Sequence, residues 1–367
     1  MMPILHIRNS DIFGSPERLI IGQMRHLTAF QSYCATFTPP GKTTPFLRAL
    51  QEHAVAGIPI ETDGQVDRVN ISKLKTIIDT NQIQLLITHD YKANFYTYLA
   101  NRKLNLPHIG YYHGRTDENL KVKLYNFIDT KILPRLDKII TVSKATSNYL
   151  IKKGIPKERI EVVFNALEID DDFVATQKPV GSPPIIGVVG RLSHEKGIHI
   201  FLEVVAKLAI QLPQVKVWIF GDGPDREKLK KQTRTFHLDH FVTFKGFKSD
   251  LDEIYSQLDI LVIPSLSEGH PLIILEAWKY AIGIVATKAG GVPEIIEHGR
   301  TGLLAEVNNP DSLGQMLLQA LSDLTAVKEY GRNGLALLKE RYSYATQAKQ
   351  LNAIYMKVIK NKHESGS

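Results

Sequence analysis

The chain has 367 residues, 43% hydrophobic and 23% charged, and 45 Lys+Arg against 38 Asp+Glu give a net charge of +7. These values exclude a disordered or collagen-like chain, and the length suits two domains with cores of their own. One cysteine, Cys34, excludes an intramolecular disulfide and a cysteine-built zinc site, and with no secretory pattern in Met1–Gly14 and no apolar run of about 18 residues the protein is expected to be cytoplasmic.

Short apolar runs alternate with longer amphipathic stretches. Predicted strands in the first half are Ile4–Ile7, Leu85–Thr88, Ile109–Tyr112, Lys138–Val142 and Glu161–Phe164. In the second half they are Ile185–Val189, Val215–Phe220, Val242–Phe244, Ile260–Ile263 and Ile284–Ala286. Their apolar runs are continuous rather than alternating, as in strands covered by helices on both faces. Helical stretches such as Ile198–Leu212 and Asp225–Thr235 fall between them, which predicts βαβ units and parallel sheets. The segment Asn165–Pro184 breaks this rhythm, being acidic and then rich in Pro, Gly and Ser. It marks a crossing between two doubly wound domains, residues 1–168 and 169–343. A last helix near Tyr344–Ile359 carries Leu351, Tyr355 and Val358 on one face, and the tail after it is expected to fray.

Charge is uneven along the chain. Residues 1–170 hold 22 basic and 16 acidic side chains, and ten of the basic ones lie between Lys121 and Arg159. Two readings stay open: a patch for an anionic membrane surface or phosphorylated substrate, or a set of solvated helix faces. No nucleic-acid module is present, so no nucleic-acid partner is expected.

The second half carries the densest chemistry. The strand IIGVVG ends in Gly190 and runs through Arg191 and Lys196 into a helix, a turn where amides and two cations suit a pyrophosphate. The next strand ends in Gly221-Asp222-Gly223-Pro224, a tight turn but not a complete dinucleotide fingerprint. After the strand DILVIP comes SLSEGHPLIILEA, in which Glu268 and Glu276 can face one crevice at a helix N-terminus. Amides near His270–Ile273 would lie between them. Carboxylates there suit the hydroxyl pairs of sugars. The plainer alternative makes Glu268 a helix cap and Glu276 a solvated helical residue.

Taken in order, VGRLSHEKGIHIFLEVVAKL, IFGDGP, FKGF, SLSEGHPLIILEAW and GGVPEIIEHGRTGLL resemble the family-4 retaining glycosyltransferases of the GT-B fold. The resemblance is strong over Ile185–Leu304 and covers the whole chain in outline. It implies two Rossmann-like α/β domains facing across a cleft, with the C-terminal helix crossing back toward the N-terminal domain. It further implies that Arg191 and Lys196 bind the donor's diphosphate and that Glu276 holds the ribose. Glu268 would contact the transferred sugar, beside Gly269 and the amides of His270, Pro271 and Leu272. Gly190 and Gly221 would line the donor site, and Lys245-Gly246-Phe247 would flank the base.

In the first domain IRNSDIFGSPERL is similar to the family's glycine loop, with Phe13-Gly14 where a Gly-Gly pair is usual, so Gly14 is the donor-side candidate. YYHG places His113 where the family has a histidine near the sugar; a capping histidine is the alternative. THDYKAN puts His89 and Asp90 at a strand end, as acceptor-binding candidates. Asp170-Asp171-Asp172 fits a metal-binding D-x-D pattern but follows the segment similar to the family's interdomain N-G-x-D, so it is expected to be linker. GGVPE is expected to be a turn and helix start, with Glu294 suiting the helix dipole.

The resemblance therefore implies sugar transfer from a nucleotide diphosphate sugar to an acceptor hydroxyl, retaining and metal-independent, with no cofactor. The expected setting is cell-surface polysaccharide, lipopolysaccharide or glycolipid synthesis. Expected partners are the donor and a glycan or lipid-linked acceptor, with peripheral contact to the inner membrane face through the basic N-terminal domain. The rival readings are a GT-B epimerase or phosphorylase and an inactive nucleotide-binding scaffold. An NAD-dependent enzyme lacks its glycine fingerprint here.

Overall fold

The computed structural model describes residues 1–63, 68–114, 128–169, 173, 183–211 and 214–366. It divides into two compact units, Met1–Ala166 with Tyr344–Ser367, and Leu167–Ser343.

The first unit is a seven-stranded sheet: β1 (Met2–Arg8), β2 (Phe30–Thr38), β3 (Ala56–Glu61), β4 (Leu85–Thr88), β5 (His108–Tyr112), β6 (Lys138–Thr141) and β7 (Ile160–Val162). Their order is β3-β2-β1-β4-β5-β6-β7, and every pairing is parallel. The second unit has six parallel strands: β8 (Ile185–Val189), β9 (Lys216–Phe220), β10 (Val242–Gly246), β11 (Ile260–Ile263), β12 (Gly283–Thr287) and β13 (Leu303–Ala305). Their order is β10-β9-β8-β11-β12-β13. Connections run outward on either side of β1 and of β8. The topological switch points therefore lie between β1 and β4, and between β8 and β11, and crevices at the carboxyl ends of those strands are where such sheets bind ligands.

Ten predicted strands form with small boundary differences, but β2, β3 and β13 are additional. In β2, Thr36 and Thr38 are buried despite their polarity, which disguises the strand as a mixed segment. β3 contains Gly57 and Pro59, and proline is tolerated because this is an edge strand. β13 is only three residues long.

The C-terminal helix Tyr344–Gly366 belongs to the first unit. Leu351 and Tyr355 are fully buried, with Val358 and Ile359, against Ile4, Leu85, Ile87 and Ile109 of the sheet. Burial of each large side chain is worth about 1.5–3 kcal/mol, which holds the helix down. The helix continues past Ile359 to Gly366, and Lys362 pairs with Asp137 at 2.9 Å.

Candidate active site

In the second unit the loops that follow β8, β9 and β11 are locked together by their backbones. Leu192 N–H donates to Asp222 O at 2.9 Å, Asp225 N–H to Leu192 O at 2.9 Å, and Leu266 N–H to Glu195 O at 2.8 Å. Gly221 is essential to this packing: its φ is 129°, and a Cβ there would sit 1.8 Å from Gly190 O. Gly190 itself has φ 143°. Gly221 thus lets the backbone come close at the crevice floor, and Gly190 supplies a conformation that residues with a side chain rarely adopt.

Lys196 and Glu268 meet directly across the switch point. Lys196 Nζ lies 2.7 Å from Glu268 Oε1, and Ser265 Oγ donates to the same oxygen at 2.7 Å. The glutamate side chain is 8% exposed and the lysine 26%, so the pair is sheltered but reachable. Glu268 is therefore not a helix cap, and the following helix Leu272–Lys279 has no side-chain cap at all. The GGVPE turn braces this glutamate. Gly291 N–H donates to Glu268 O at 3.2 Å, and Gly290 has φ 52° with its missing Cβ only 1.9 Å from that oxygen.

Glu276 lies in the second turn of the helix Leu272–Lys279 and is 2% exposed, so it is no solvated helical residue. Tyr255 Oη donates to its Oε2 at 2.8 Å. Pro271 corrects one expectation: it is the N-cap and has no N–H, so the amides at this helix start come from His270, Leu272 and Ile273. His270 is 4% exposed, and burial pushes its pKa down to about 3, leaving it neutral. Gly269 lies between Glu268 and His270 in that loop. Arg191 is exposed at the mouth of the β8 loop. Gly246 ends β10 with φ 71° and open space around its missing Cβ, and Phe247 beside it is 65% exposed. Lys245 Nζ sits 3.9 Å from the Trp218 ring centroid.

The first unit's switch point is built differently. Arg8, at the end of β1, pairs with the buried Glu17 at 3.1 Å and donates to His89 O at 2.9 Å. Glu17 also accepts from the Gly14 N–H at 3.0 Å, which fixes Gly14 as the N-cap of the helix Ser15–His26. His89 corrects the acceptor expectation, because it is 2% exposed and presents no open face. Its Nε2 bonds His6 Nδ1 at 2.9 Å, and its ring stacks on Tyr111 at 4.7 Å and on His113 at 6.0 Å between centroids. Asp90 is likewise engaged by backbone: it caps the helix Tyr91–Asn101 through the Lys92 and Ala93 amides and accepts from Asn9 N–H at 2.6 Å. Its carboxylate is a latch between the β1 and β4 loops.

His113 follows β5, and its Nε2 is buried with no hydrogen-bond partner among the described residues. Burial lowers its pKa to about 3, as it does for His6, and burial lowers His89 as well, so the stack is neutral. Arg8 reinforces this at His89 and His113.

Residues the sequence reading passed over are Ser265, Tyr255, Arg8, Glu17 and His6. Ser265 stands in SLSEG, three residues before Glu268, and was within reach of a motif argument. The others are joined by sheet register and helix packing, which no local spacing reveals. Among the described residues no three His, Cys, Asp or Glu side chains converge on a metal-holding cluster. The Asp170-Asp171-Asp172 run, read as linker, lies outside the described residues.

The charged crevice coincides with the matched motifs. A family model described as glycosyl transferases group 1 matches residues 170–336, and one described as glycosyltransferase family 4 matches residues 17–171. The chain belongs to the family-4 glycosyltransferases of GT-B fold. A glycosyltransferase of Methanocaldococcus jannaschii is 24% identical over 302 residues, 76% of each chain. The lipopolysaccharide core biosynthesis glycosyltransferase LpsE of Rhizobium meliloti is 25% identical over 190 residues, 51% of this chain and 55% of its own. Among solved structures HepE of Anabaena, in complex with UDP and glucose, superposes with a TM-score of 0.84 at 20% identity, covering 97% of this chain and 100% of that one. The glycosyltransferase thus has the two parallel-sheet α/β domains of its fold class.

Proposed function

We propose that this glycosyltransferase moves a sugar from a nucleotide diphosphate sugar to an acceptor hydroxyl, with retention at the anomeric carbon and without a metal ion. The observation that carries this reading is the Lys196–Glu268 pair across the β8/β11 switch point, with Glu276 buried on the adjoining helix. Lys196 and Arg191 supply positive charge for the diphosphate, Glu268 accepts from hydroxyls of the transferred sugar, and Glu276 accepts from the ribose. HepE, the GT-B neighbour solved with UDP and glucose, supports a uridine diphosphate donor.

In the reaction the anomeric C–O bond to the β-phosphate breaks and negative charge grows on the departing phosphate. Fixed cations and helix amides offset that charge without reorganising, which lowers the barrier. The acceptor oxygen bonds the anomeric carbon on the same face, and its proton passes to the leaving phosphate oxygen. The products are the glycoside and the nucleoside diphosphate. His113, neutral and with its Nε2 unengaged, serves to orient a sugar hydroxyl rather than to take a proton.

The acceptor is proposed to be a glycan or lipid-linked glycan of cell-surface synthesis, a reading that LpsE supports. Lys144, Lys152, Lys153, Lys157 and Arg159 are exposed near the helix Lys144–Lys152, and they are proposed to meet an anionic inner-membrane face. Lys121 and Lys123 of that basic stretch lie outside the described residues. No helix among the described residues is long and apolar enough to cross a membrane. Cosedimentation with anionic vesicles at low and high salt tests the contact, and absence of binding at low salt removes it.

The decisive experiment is a thermal-shift panel of nucleotide diphosphates and their sugars, followed by product analysis with the stabilising donor. Stabilisation by a nucleotide sugar and an α- or β-glycoside matching the donor's anomer are expected. Isomerised donor without acceptor would instead make the enzyme an epimerase, and donor binding without turnover a scaffold.

A further inference from the structure

We infer that Tyr255 is a positioning residue for the donor's ribose, acting through Glu276; this rests on the reading of Glu276 given above. Tyr255 closes the short helix Leu251–Tyr255 and is 1% exposed. Its hydroxyl donates to Glu276 Oε2 at 2.8 Å. Its ring stacks on Tyr280, with centroids 5.5 Å apart and planes 27° from parallel. Tyr280 is anchored in turn, its hydroxyl donating to Asp252 Oδ1 at 2.5 Å. The phenol that meets Glu276 is thus fixed by a second tyrosine and by an aspartate on Tyr255's own helix.

A glutamate carboxylate presents about four lone-pair sites in one plane, and which of them face a ligand depends on side-chain torsions that are costly to order. Tyr255 takes a site on Oε2 and so sets the plane before any nucleotide arrives. A carboxylate held in one plane suits a vicinal diol, whose two hydroxyls must be met together. Ordering the acceptor in advance cuts the loss of freedom on binding, the general source of affinity in a preorganised site. Ring stacking holds Tyr255 in place without its hydroxyl, so Tyr255→Phe removes the bond and keeps the packing.

Titration calorimetry on the full chain decides the matter, using whichever of UDP, GDP and ADP the wild type binds most tightly and the 2′,3′-dideoxy analogue of that nucleotide. Tyr255→Phe should weaken the ribonucleotide about 10-fold while changing the dideoxy analogue less than about twofold, the cost of one hydrogen bond to a charged group. Donor KM should rise with it and kcat should hold. Equal weakening of both nucleotides would mean a purely structural tyrosine, and no weakening would mean no coupling; either overturns the proposal. Glu276→Gln separates the two levels. If it keeps the ribose-dependent affinity, or if no nucleotide binds the wild type, the assignment of Glu276 fails and Tyr255 with it. If Glu276→Gln loses that affinity and Tyr255→Phe does not, only the role of Tyr255 fails.

Discussion

The two switch-point crevices use the same topology for opposite electrostatics. Between β8 and β11 a lysine and a glutamate face each other at 2.7 Å, with further cationic charge from Arg191 at the mouth. Between β1 and β4 the charges are engaged internally, Arg8 by buried Glu17 and Asp90 by backbone amides, and beside them stands a stack of neutral rings: His6, His89, Tyr111 and His113. Polar bonds in the first unit are spent on backbone, through Asp90 and Arg8. A parallel α/β sheet therefore delivers a ligand site at a fixed place, and the side chains at the strand ends decide whether it suits a diphosphate or neutral hydroxyls.

The charged crevice should be the more fragile of the two in catalysis. Lys196→Ala removes the cation nearest the proposed leaving group and leaves Glu268 sheltered without its partner. Transfer should fall about 10³-fold in kcat/KM, the scale of losing one preorganised electrostatic contact. Glu276→Ala should abolish transfer through the ribose. Both variants should keep the wild-type circular dichroism, and near-normal turnover in both would break the contrast between the crevices. EDTA should leave the rate unchanged, and loss of activity in chelator restored by magnesium or manganese would reassign the phosphate charge to a metal.

The first unit, with its buried histidines, should instead be the more sensitive to acid. Burial disfavours the imidazolium and holds His6 and His113 of the stack, and His108 at the amino end of β5, near 3 in the folded chain against 6.5 when unfolded; it lowers His89 as well. Between those values the unfolded chain binds more protons, so stability is full above pH 6.5 and is lost as pH falls below it. Between pH 7 and 5.5 each histidine costs about 1 kcal/mol. Asp129 works in the other sense: burial raises it to about 6, so protonating it on the way down restores somewhat under about 1 kcal/mol. The first unit, with four such histidines, should therefore lose about 3 kcal/mol net, and the second, where buried His270 and the half-buried His199 are lowered, about 1–2 kcal/mol. Scanning calorimetry at the two pH values measures this. Equal shifts in both transitions, or a rise on acidification, would show that the stack is not held neutral.

His113→Ala probes the same stack in catalysis. Loss of a neutral hydrogen bond to a sugar hydroxyl should lower kcat/KM about 10-fold, well short of the lysine variant. A drop equal to that of Lys196→Ala would make His113 part of the chemistry rather than of sugar orientation.

What was legible in the sequence follows the same division. Arg191, Lys196, Glu268 and Glu276 stand in contiguous loop motifs at strand ends, where short spacing carries the meaning. The pairing of Lys196 with Glu268 needed the sheet, since 72 residues separate them. In the first unit the site is assembled almost wholly by register: His6 lies beside Ile87 in the sheet, and this brings it to His89, 83 positions away. No local pattern announces such a contact. The same holds for β2, whose buried threonines look solvated in the sequence, and for His89 and Asp90, whose place at a strand end was readable while their engagement with neighbours was not.

Asp90 offers the finest distinction between support and substrate contact. Its carboxylate satisfies two amides at the start of the helix Tyr91–Asn101 and a third on Asn9, groups that would otherwise go unpaired. Asp90→Ala should cost about 1 kcal/mol of stability, the ordinary value of an N-cap. Asp90→Asn keeps a capping oxygen and should recover most of it, while presenting an amide where the carboxylate met Asn9. If the asparagine variant regains both the melting temperature and the acceptor KM, the residue is a latch between the β1 and β4 loops. If it regains stability alone and acceptor KM stays raised, the charge itself meets the acceptor, and the neutral crevice has one ionic contact after all.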